Sequence, residues 1–314
     1  VSSDRKYFSL HFSDKVGKSL ELSVPLREHS NFRIGGNADF FFKASSHKQI
    51  VEAVHLAKKC SIPYYIIGGG YNLLFDDMGF RGLIIKNCVK SISRRQREEI
   101  EVSSGTSLQD LLLFCFEEGM GGLEFLAGIP GTVGGAVFGN AGAFNQEIGA
   151  FLKEALILDD KGNETEVDRE YFDFKYRWSF LKKKHTVLLR IVLSLQEKDK
   201  DNIKSMIENN LEKRKRKHPP ADTACAGSYF KNLVLPSGKK VPAAFYLDQV
   251  GAKKLQVGGA AVYPGHANFI INRENASARD VLNLASKLKR KVKKNFGIDL
   301  KEEVLFLPAV LPNP

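Results

Sequence analysis

The sequence predicts a mixed α/β and α+β chain built in three blocks, and three observations carry that expectation. Segments of strand and helix character alternate from Ala38 onward. Glycines gather in two stretches rather than scattering through the chain. A charged helical run ends at Pro219-Pro220, which closes one block and opens the next.

The elements follow in order. Residues 1 to 24 read as irregular. Ala38 to Ala44 (ADFFFKA) reads as a strand, and Ser46 to Cys60 as a helix. Its apolar face is Ile50, Val51, Val54, Leu56 and Ala57, with Ser46 as N-cap. Tyr64 to Ile67 is a strand running into Gly68-Gly69-Gly70, and Gly82 to Lys86 is another. In the second block Ile100 to Ser103 is a strand, and Leu108 to Glu118 is a helix ended by Gly119. Glu154 to Asp159 and Val187 to Leu195 are strands around a turn at Asp160-Lys161-Gly162, and Asp199 to Lys217 is a charged helix. The third block holds a strand near Ser228, a helix near Ala244 to Val250, a strand from Asn268 to Asn272 and a helix from Ser277 to Phe296.

Composition narrows the function classes. A 314-residue chain with 43% hydrophobic residues has ample core, so it needs no staples. The cysteines at 60, 88, 115 and 225 form no CxxC pair, so neither a metal site nor a redox dithiol is indicated. Cys60 and Cys115 fall in apolar-periodic segments and read as core residues. No apolar run is long enough to span a bilayer, and the first residues lack a signal-peptide pattern, so cytoplasmic residence is the default expectation. The net charge of +11 favours polyanionic ligands without choosing among them. The densest basic run, Lys213 to Lys217, reads as a solvated helix end.

The two glycine-rich stretches need a different explanation. Gly68-Gly69-Gly70 directly follow a strand, so backbone amides there can approach a ligand with no Cβ in the way. The spacing is neither GxGxxG opening a helix nor a phosphate loop with its lysine. The second stretch has glycines at 128, 131, 134, 135, 139 and 142 around Pro130. It is too small-sided to build a core of its own and must wrap or pack tightly on something.

These stretches carry a resemblance. GGGYNLL from Gly68 and LEFLAGIPGTVGGAVFGNAGA from Leu123 resemble the FAD-binding pattern of the UDP-N-acetylenolpyruvoylglucosamine reductase family, within the vanillyl-alcohol oxidase type of flavoprotein fold. NFRIGG from Asn31, Tyr176-Arg177, AGSYFKN from Ala226, GGAAV with HANFIIN up to Asn272, and Glu302-Glu303-Val304 extend it in order over residues 28 to 307. Four positions depart from the family pattern: Tyr71 for serine, Trp178 for aspartate, Leu233 for proline and Lys301 for glutamate. The short connection from Asn232 to Val250 resembles the subclass lacking an inserted substrate-covering loop.

The resemblance implies a domain plan and a site. FAD-binding subdomains would cover 1–88 (with a tail to about 24) and 89–199; a substrate domain would cover 200–303, and a tail, 304–314, would return to the first. FAD would be held noncovalently by Arg33, Gly68, Gly69, Gly70, Asn72, Leu73, Gly128, Pro130, Gly131, Thr132, Gly134, Gly135, Asn140 and Gly142. NADPH would reduce it. The second substrate would be UDP-N-acetylglucosamine enolpyruvate, reduced to UDP-N-acetylmuramate for peptidoglycan synthesis by a monomer that uses neither nucleic acid nor membrane insertion.

The same chemistry sets the candidate catalytic groups. Hydride arriving at carbon 3 of the enolpyruvyl ether builds negative charge toward the carboxylate, and a proton must reach carbon 2. Judged by residue type alone, Arg177 is a surface charge, Ser228 a turn residue, Glu303 a solvated acid and His266 a structural histidine. The resemblance makes Arg177 the carboxylate clamp, Ser228 the proton donor and Glu303 an acid that hydrogen-bonds the developing aci-carboxylate. Lys231 would support Ser228, and Tyr176, Asn232 and His266 would contact substrate. Two rivals stand beside this reading. One is a flavin oxidase of the same fold acting on an alcohol or sugar, which argues poorly because the first loop offers no histidine or cysteine for covalent FAD. The other is a basic nucleic-acid-binding protein using Lys213 to Lys217, which leaves both glycine stretches unexplained.

Overall fold

Residues 3–183, 186–235 and 237–311 are described by the structure, a computed structural model. The chain divides into two units: Val1–Leu22, Phe40–Gly69 and Gly82–Arg214 form the first, and Ser23–Asp39, Gly70–Arg81 and Lys215–Pro314 the second. The expected terminal tails include residues 1–2 and 312–314, which lie outside the described residues.

In the first unit, α2 (His47–Lys59) starts where its cap was expected, with the Ser46 side chain accepting from the Gln49 amide. It accompanies a four-stranded sheet in the order Glu21–Pro25, Asn37–Ala44, Phe80–Asn87, Tyr64–Ile67. The last two strands run parallel, Tyr64 opposite Leu83. Helix α2 connects Asn37–Ala44 to Tyr64–Ile67, and Phe80–Asn87 lies between those two strands in the sheet.

Residues 3 to 24 are not irregular throughout. They form α1 (Ser3–Val16) and lead into the strand Glu21–Pro25. Phe8, Phe12 and Val16, four apart, make one buried stripe. The Phe8 ring lies 5.1 Å from Phe40 and the Phe12 ring 5.0 Å from Phe42. The sequence hid this helix because Leu10, 65% exposed, and Tyr7 lie off the stripe, so its apolar residues do not segregate to one face.

A five-stranded antiparallel sheet completes the first unit, in the order Glu164–Asp168, Leu152–Leu158, Val187–Ser194, Glu99–Ser103, Ile92–Gln96. The turn after Leu158 leads to Glu164–Asp168, not to Val187–Ser194 as the sequence reading had it. ETEVD is a polar edge strand, and its solvated face gives no alternating apolar signal. Helix α3 (Leu108–Glu117) supplies Leu108, Leu111 and Cys115 to this core. Burial pushes the Cys115 thiol up to about 12, as befits an inert core cysteine. Helix α4 (Val133–Gly139) lies inside the second glycine stretch, and its Val133, Ala136 and Val137 are buried in the same core. The stretch therefore builds a short helix as well as loops. Helix α5 (Lys200–Lys215) is tied down by buried Asn210, whose amide donates to the Glu124 carbonyl at 2.9 Å.

The second unit centres on a four-stranded antiparallel sheet, in the order Cys225–Ser228, Phe269–Asn272, Ala260–Val262, Gln256–Val257. Helix α6 (Ala243–Gln249) and the long α7 (Ala278–Phe296) pack on it through Leu247, Val281, Leu284, Leu288 and Val292. A capping box of Ser277 and Asp280 starts α7, and Gly297 at φ 70° ends it. Strand Leu305–Leu307 runs parallel to Leu73–Phe75. Among the described residues no helix is long and apolar enough to cross a membrane.

Candidate functional site

The glycines of the two stretches are not alike. A side chain on Gly68 would overlap the Thr132 hydroxyl, so these two glycine stretches touch there. Gly70 has φ 72°, and a Cβ on it would overlap the His29 carbonyl. Gly134 donates its amide to the Ser104 carbonyl at 2.7 Å, and a Cβ on it would lie 2.9 Å from that residue. Gly142 is closed in by the Gln146 carbonyl of its own hairpin. Gly128 and Gly131, at φ 74° and 131°, need glycine for backbone reasons. Gly135 and Gly139 differ. A Cβ on Gly135 would meet only the Thr132 hydroxyl, at an ordinary 3.5 Å, and one on Gly139 would meet nothing within 4 Å. The protein's own packing does not ask for glycine at these two positions.

Thr132 caps α4, accepting from the Gly135 amide at 3.3 Å. Pro130 is exposed beside Gly131, whose carbonyl accepts the Leu108 amide at 3.0 Å. Asn140, in the left-handed region at φ 45°, spends its side chain on the protein. It donates to Glu147 at 2.8 Å and to the Lys175 carbonyl at 2.9 Å, and accepts from the Gly149 amide at 3.0 Å. Its side chain thereby fixes the segment that carries Arg177.

Arg177 sits in a tight turn, with Lys175 and Trp178 exchanging backbone hydrogen bonds, and is itself left-handed at φ 53°. Holding a non-glycine residue there costs on the order of 1 kcal/mol or more. Its guanidinium donates to the Gly142 carbonyl at 2.9 Å and lies 5.2 Å over the Tyr176 ring. The basic run Lys213 to Lys217 is not wholly solvated, as the sequence suggested. Arg214 is half-buried, and its Nε is buried without a hydrogen bond. Burial first, then the charge of Arg177, push this guanidinium below its ordinary value.

In the second unit, Ser228 ends its strand opposite Phe269, beyond a register shift. Gly227 before it, at φ 75°, has open space where a Cβ would be, which leaves the approach to Ser228 clear. The structure brings Ser228 and Glu303 onto neighbouring backbone: the Glu303 amide donates to the carbonyl of Tyr229 at 2.8 Å. The Glu303 carbonyl in turn accepts from Asn72 at 3.1 Å, which links half-buried Glu303 to the end of the first glycine stretch. Leu73 is buried next to it. The Lys231 amide donates to the Lys301 carbonyl at 2.8 Å. Asn232 accepts from the Ala243 amide at 3.2 Å and so starts α6. His266 accepts from the Asn268 amide through Nδ1, which leaves Nε2 to carry the proton of the neutral ring, and its burial holds its pKa below the usual value. Arg33, at φ 56°, donates to the Asp222 carbonyl at 3.0 Å and borders an open depression of about 480 Å³ with Arg27, Glu28, Ser30 and Asn31.

Two contributors were not visible in the sequence. Asn268, 3% exposed, donates to the Phe230 carbonyl and accepts the Phe230 amide, holding the backbone just beyond Ser228. Asn31 reaches the Cys225 carbonyl at 2.6 Å and steadies the start of the same strand. An asparagine carries no periodic signal, so only the fold reveals these roles.

Comparison with known proteins places the chain in a family. Residues 38–168 match the model of an FAD binding domain, and residues 218–307 match that of the UDP-N-acetylenolpyruvoylglucosamine reductase C-terminal domain. A UDP-N-acetylenolpyruvoylglucosamine reductase of Clostridium botulinum is 37% identical over 300 residues, 95% of this chain and 96% of its own. One from Clostridium kluyveri is 38% identical over 287 residues, 91% of this chain and 92% of its own. The crystal structure of the UDP-N-acetylenolpyruvylglucosamine reductase of Thermus caldophilus superposes with a TM-score of 0.76 at 29% identity, covering 93% of this chain and 99% of that one.

Proposed function

Because the chain belongs to the UDP-N-acetylenolpyruvoylglucosamine reductase family, we propose a division of labour among its own residues in the reaction of that family. The protein is an FAD- and NADPH-dependent oxidoreductase that reduces UDP-N-acetylglucosamine enolpyruvate to UDP-N-acetylmuramate in peptidoglycan synthesis. FAD, reduced by NADPH, supplies the hydride that adds to carbon 3 of the enol ether.

The residues present suit that cofactor. Gly135 and Gly139 are the observation that carries the reading, because their side-chain space is open to something other than protein. Gly68, Gly131 and Thr132 lie on the same connected loops and shape the cradle. Arg33, Gly69, Gly70, Asn72, Leu73, Gly128, Pro130, Gly134, Asn140 and Gly142 contribute backbone or support to cofactor binding.

Arg177 pairs with the enolpyruvyl carboxylate and stabilises the charge that accumulates there as the carbon–carbon double bond is reduced. Ser228 gives its proton to carbon 2. Its alcohol is a weak acid, so it needs a strongly basic carbanion and the nearby ammonium of Lys231 to stabilise the alkoxide. Glu303, kept protonated, donates to the aci-carboxylate. Tyr176, Asn232 and His266 hold the rest of the substrate. The enzyme works as a cytoplasmic monomer, without nucleic acid and without inserting into a membrane.

The test is direct. The purified protein is expected to be yellow and to release its flavin on acid precipitation. It should consume NADPH catalytically, beyond the one equivalent that reduces its flavin, only when the UDP-enolpyruvyl sugar is present. A colourless protein, or NADPH oxidation indifferent to that sugar, sinks the reading.

A further inference from the structure

The NFRIGG stretch from Asn31 to Gly36 lies in the second unit, between two pieces of backbone that matter for the reaction. On one side this segment meets the end of the first glycine stretch. The Asn31 amide donates to the Gly70 carbonyl at 3.1 Å, and the buried Ser30 hydroxyl donates to the Leu73 carbonyl at 3.1 Å. Gly70 lies so close to the His29 carbonyl that a Cβ would overlap it. On the other side the segment meets the backbone leading into Ser228. The Asn31 side chain donates to the Cys225 carbonyl at 2.6 Å and, with a longer bond of 3.4 Å, to the Thr223 carbonyl. Arg33 donates to the Asp222 carbonyl at 3.0 Å, and Asn272 donates to the Phe32 carbonyl at 3.0 Å.

Ser228 needs such support because its strand is irregular. Cys225 stands opposite Ile271 and Ser228 opposite Phe269, so three steps on one strand face two on the other. A bulge of this kind re-aims the side chain that follows it. Gly227 within it is at φ 75° with open space where a Cβ would be, so packing at that position does not hold the turn. The far end is fixed, since the Tyr229 amide donates to the Asn268 carbonyl at 2.8 Å and the Asn268 side chain exchanges two bonds with Phe230. The near end is fixed by Asn31 on the Cys225 carbonyl and by the Asn272 amide on the Ala224 carbonyl at 2.8 Å.

We infer that Asn31 is a positioning residue for the proton donor. Its side chain sets where the bulge begins, and so where the Ser228 hydroxyl points, while its backbone amide keeps that strand in step with the first glycine stretch. The inference rests on the proposed role of Ser228. Asn31 acts through the Cys225 carbonyl and not on the substrate. Protonation of carbon 2 is sensitive to such placement, because a displacement of about 1 Å can cost about a hundredfold in rate. A misplaced hydroxyl slows the proton step without loosening the grip on the sugar, so kcat falls while KM changes little.

The test uses the holoenzyme with Asn31→Ala and Asn31→Asp. The second keeps the shape of the side chain but turns its donor into an anion facing two carbonyls. Flavin content, bleaching by NADPH and reoxidation by the UDP-enolpyruvyl sugar are read separately by stopped flow. The backbone bond to Gly70 survives in both variants, so we expect full flavin and bleaching within about twofold of native. Reoxidation at saturating sugar should slow roughly tenfold to a hundredfold, with the half-saturating sugar concentration within about threefold of native. The double variant Ser228→Ala with Asn31→Ala should reoxidise within about twofold of Ser228→Ala alone, because a residue that acts only through Ser228 then has nothing left to position. Native reoxidation in Asn31→Ala overturns the inference. So does native reoxidation in Asn31→Asp beside a slow alanine variant, which assigns Asn31 to packing. A double variant slowed by the full product of the two single effects, or equal slowing of both half-reactions, overturns it too. If Ser228→Ala alone reoxidises at the native rate, the reading of Ser228 as donor is what fails, and the inference falls with it.

Discussion

The two units carry different chemistry. The first holds the second glycine stretch and a concentration of fixed positive charge: Arg177, Lys182 on its carbonyl, and Lys213 and Arg214 over Phe144. The second holds groups that can lose or share a proton, namely Ser228, Glu303 and His266. Guanidinium is always charged and suits a permanent electrostatic role, whereas hydroxyl, carboxyl and imidazole groups suit proton traffic. Reduction of an enol ether needs both kinds of group. The difference teaches that damage to each unit should strike a different quantity, and each prediction below breaks or sharpens that contrast.

The largest effect is expected from the second unit. Ser228→Ala removes the proposed proton donor and touches neither glycine stretch. NADPH should bleach the flavin at nearly the native rate, while reoxidation by the UDP-enolpyruvyl sugar falls by roughly a hundredfold to ten-thousandfold. Cysteine at the same position, a stronger acid, should restore part of the rate. If reoxidation is native in the alanine variant, the proton comes from elsewhere and Glu303 becomes the next candidate.

Next comes a pair of adjacent glycines in the first unit. Gly134→Leu must displace Ser104 whether or not cofactor is bound, so the apoprotein itself should lose stability by several kcal/mol, as overpacked and strained sites do. Gly135→Leu meets no such obstacle in the protein. The apoprotein should then melt within about 0.5 kcal/mol of native, yet flavin content should drop sharply. Stoichiometric flavin in Gly135→Leu would remove this position from the cofactor cradle. The smaller third effect belongs to the clamp. Arg177→Lys keeps the charge but loses the planar, two-pronged geometry, and the half-reaction with the sugar should slow at least about tenfold, equivalent to about 1.4 kcal/mol. Unchanged turnover would exclude Arg177 from the reaction.

These experiments turn on distinctions that the sequence carried only in part. Ser46 was readable as a cap because an N-cap is a local matter of one side chain and an amide three residues on. The parallel strands Tyr64–Ile67 and Phe80–Asn87 were readable from their continuous apolar runs. Ser228 and Glu303 were nominated by resemblance, but their adjacency depends on the bond from the Glu303 amide to Tyr229, 74 residues earlier in the numbering. No local pattern encodes such a pairing. α1 escaped because only three of its residues are buried, and α4 because its glycines masked Val133 and Val137. Arg214 escaped because it is one of five consecutive cations, and only packing against Gly128 and Phe144 separates it from its neighbours.

The smallest expected effect compares the units through one histidine each. In the first unit, burial and then the nearby Arg190 hold the His47 pKa below its ordinary value, although the Leu189 backbone and the carboxylates Glu164 and Glu101 pull it upward. In the second, burial lowers His266, with Lys253 and Lys217 adding to it and Asp248 opposing. Both rings are therefore preferred neutral in the fold. The unfolded chain takes up protons on these residues near pH 6.5, and the folded chain does so only at lower pH. In that interval the unfolded state binds more protons, so stability rises with pH. The contribution is fully present above about pH 6.5 and is lost as pH falls through the lowered folded values. Urea midpoints measured at about pH 7.5 and about pH 5.5 should show the loss, because carboxylates are mostly ionised over that range and add little. His47→Gln and His266→Gln should each shrink it without abolishing it. Should the units unfold in separate steps, His47→Gln would flatten the pH response of one transition and His266→Gln that of the other. A wild-type midpoint that does not move between the two pH values, or variants that keep the whole slope, would show that these rings are already solvated enough to titrate normally.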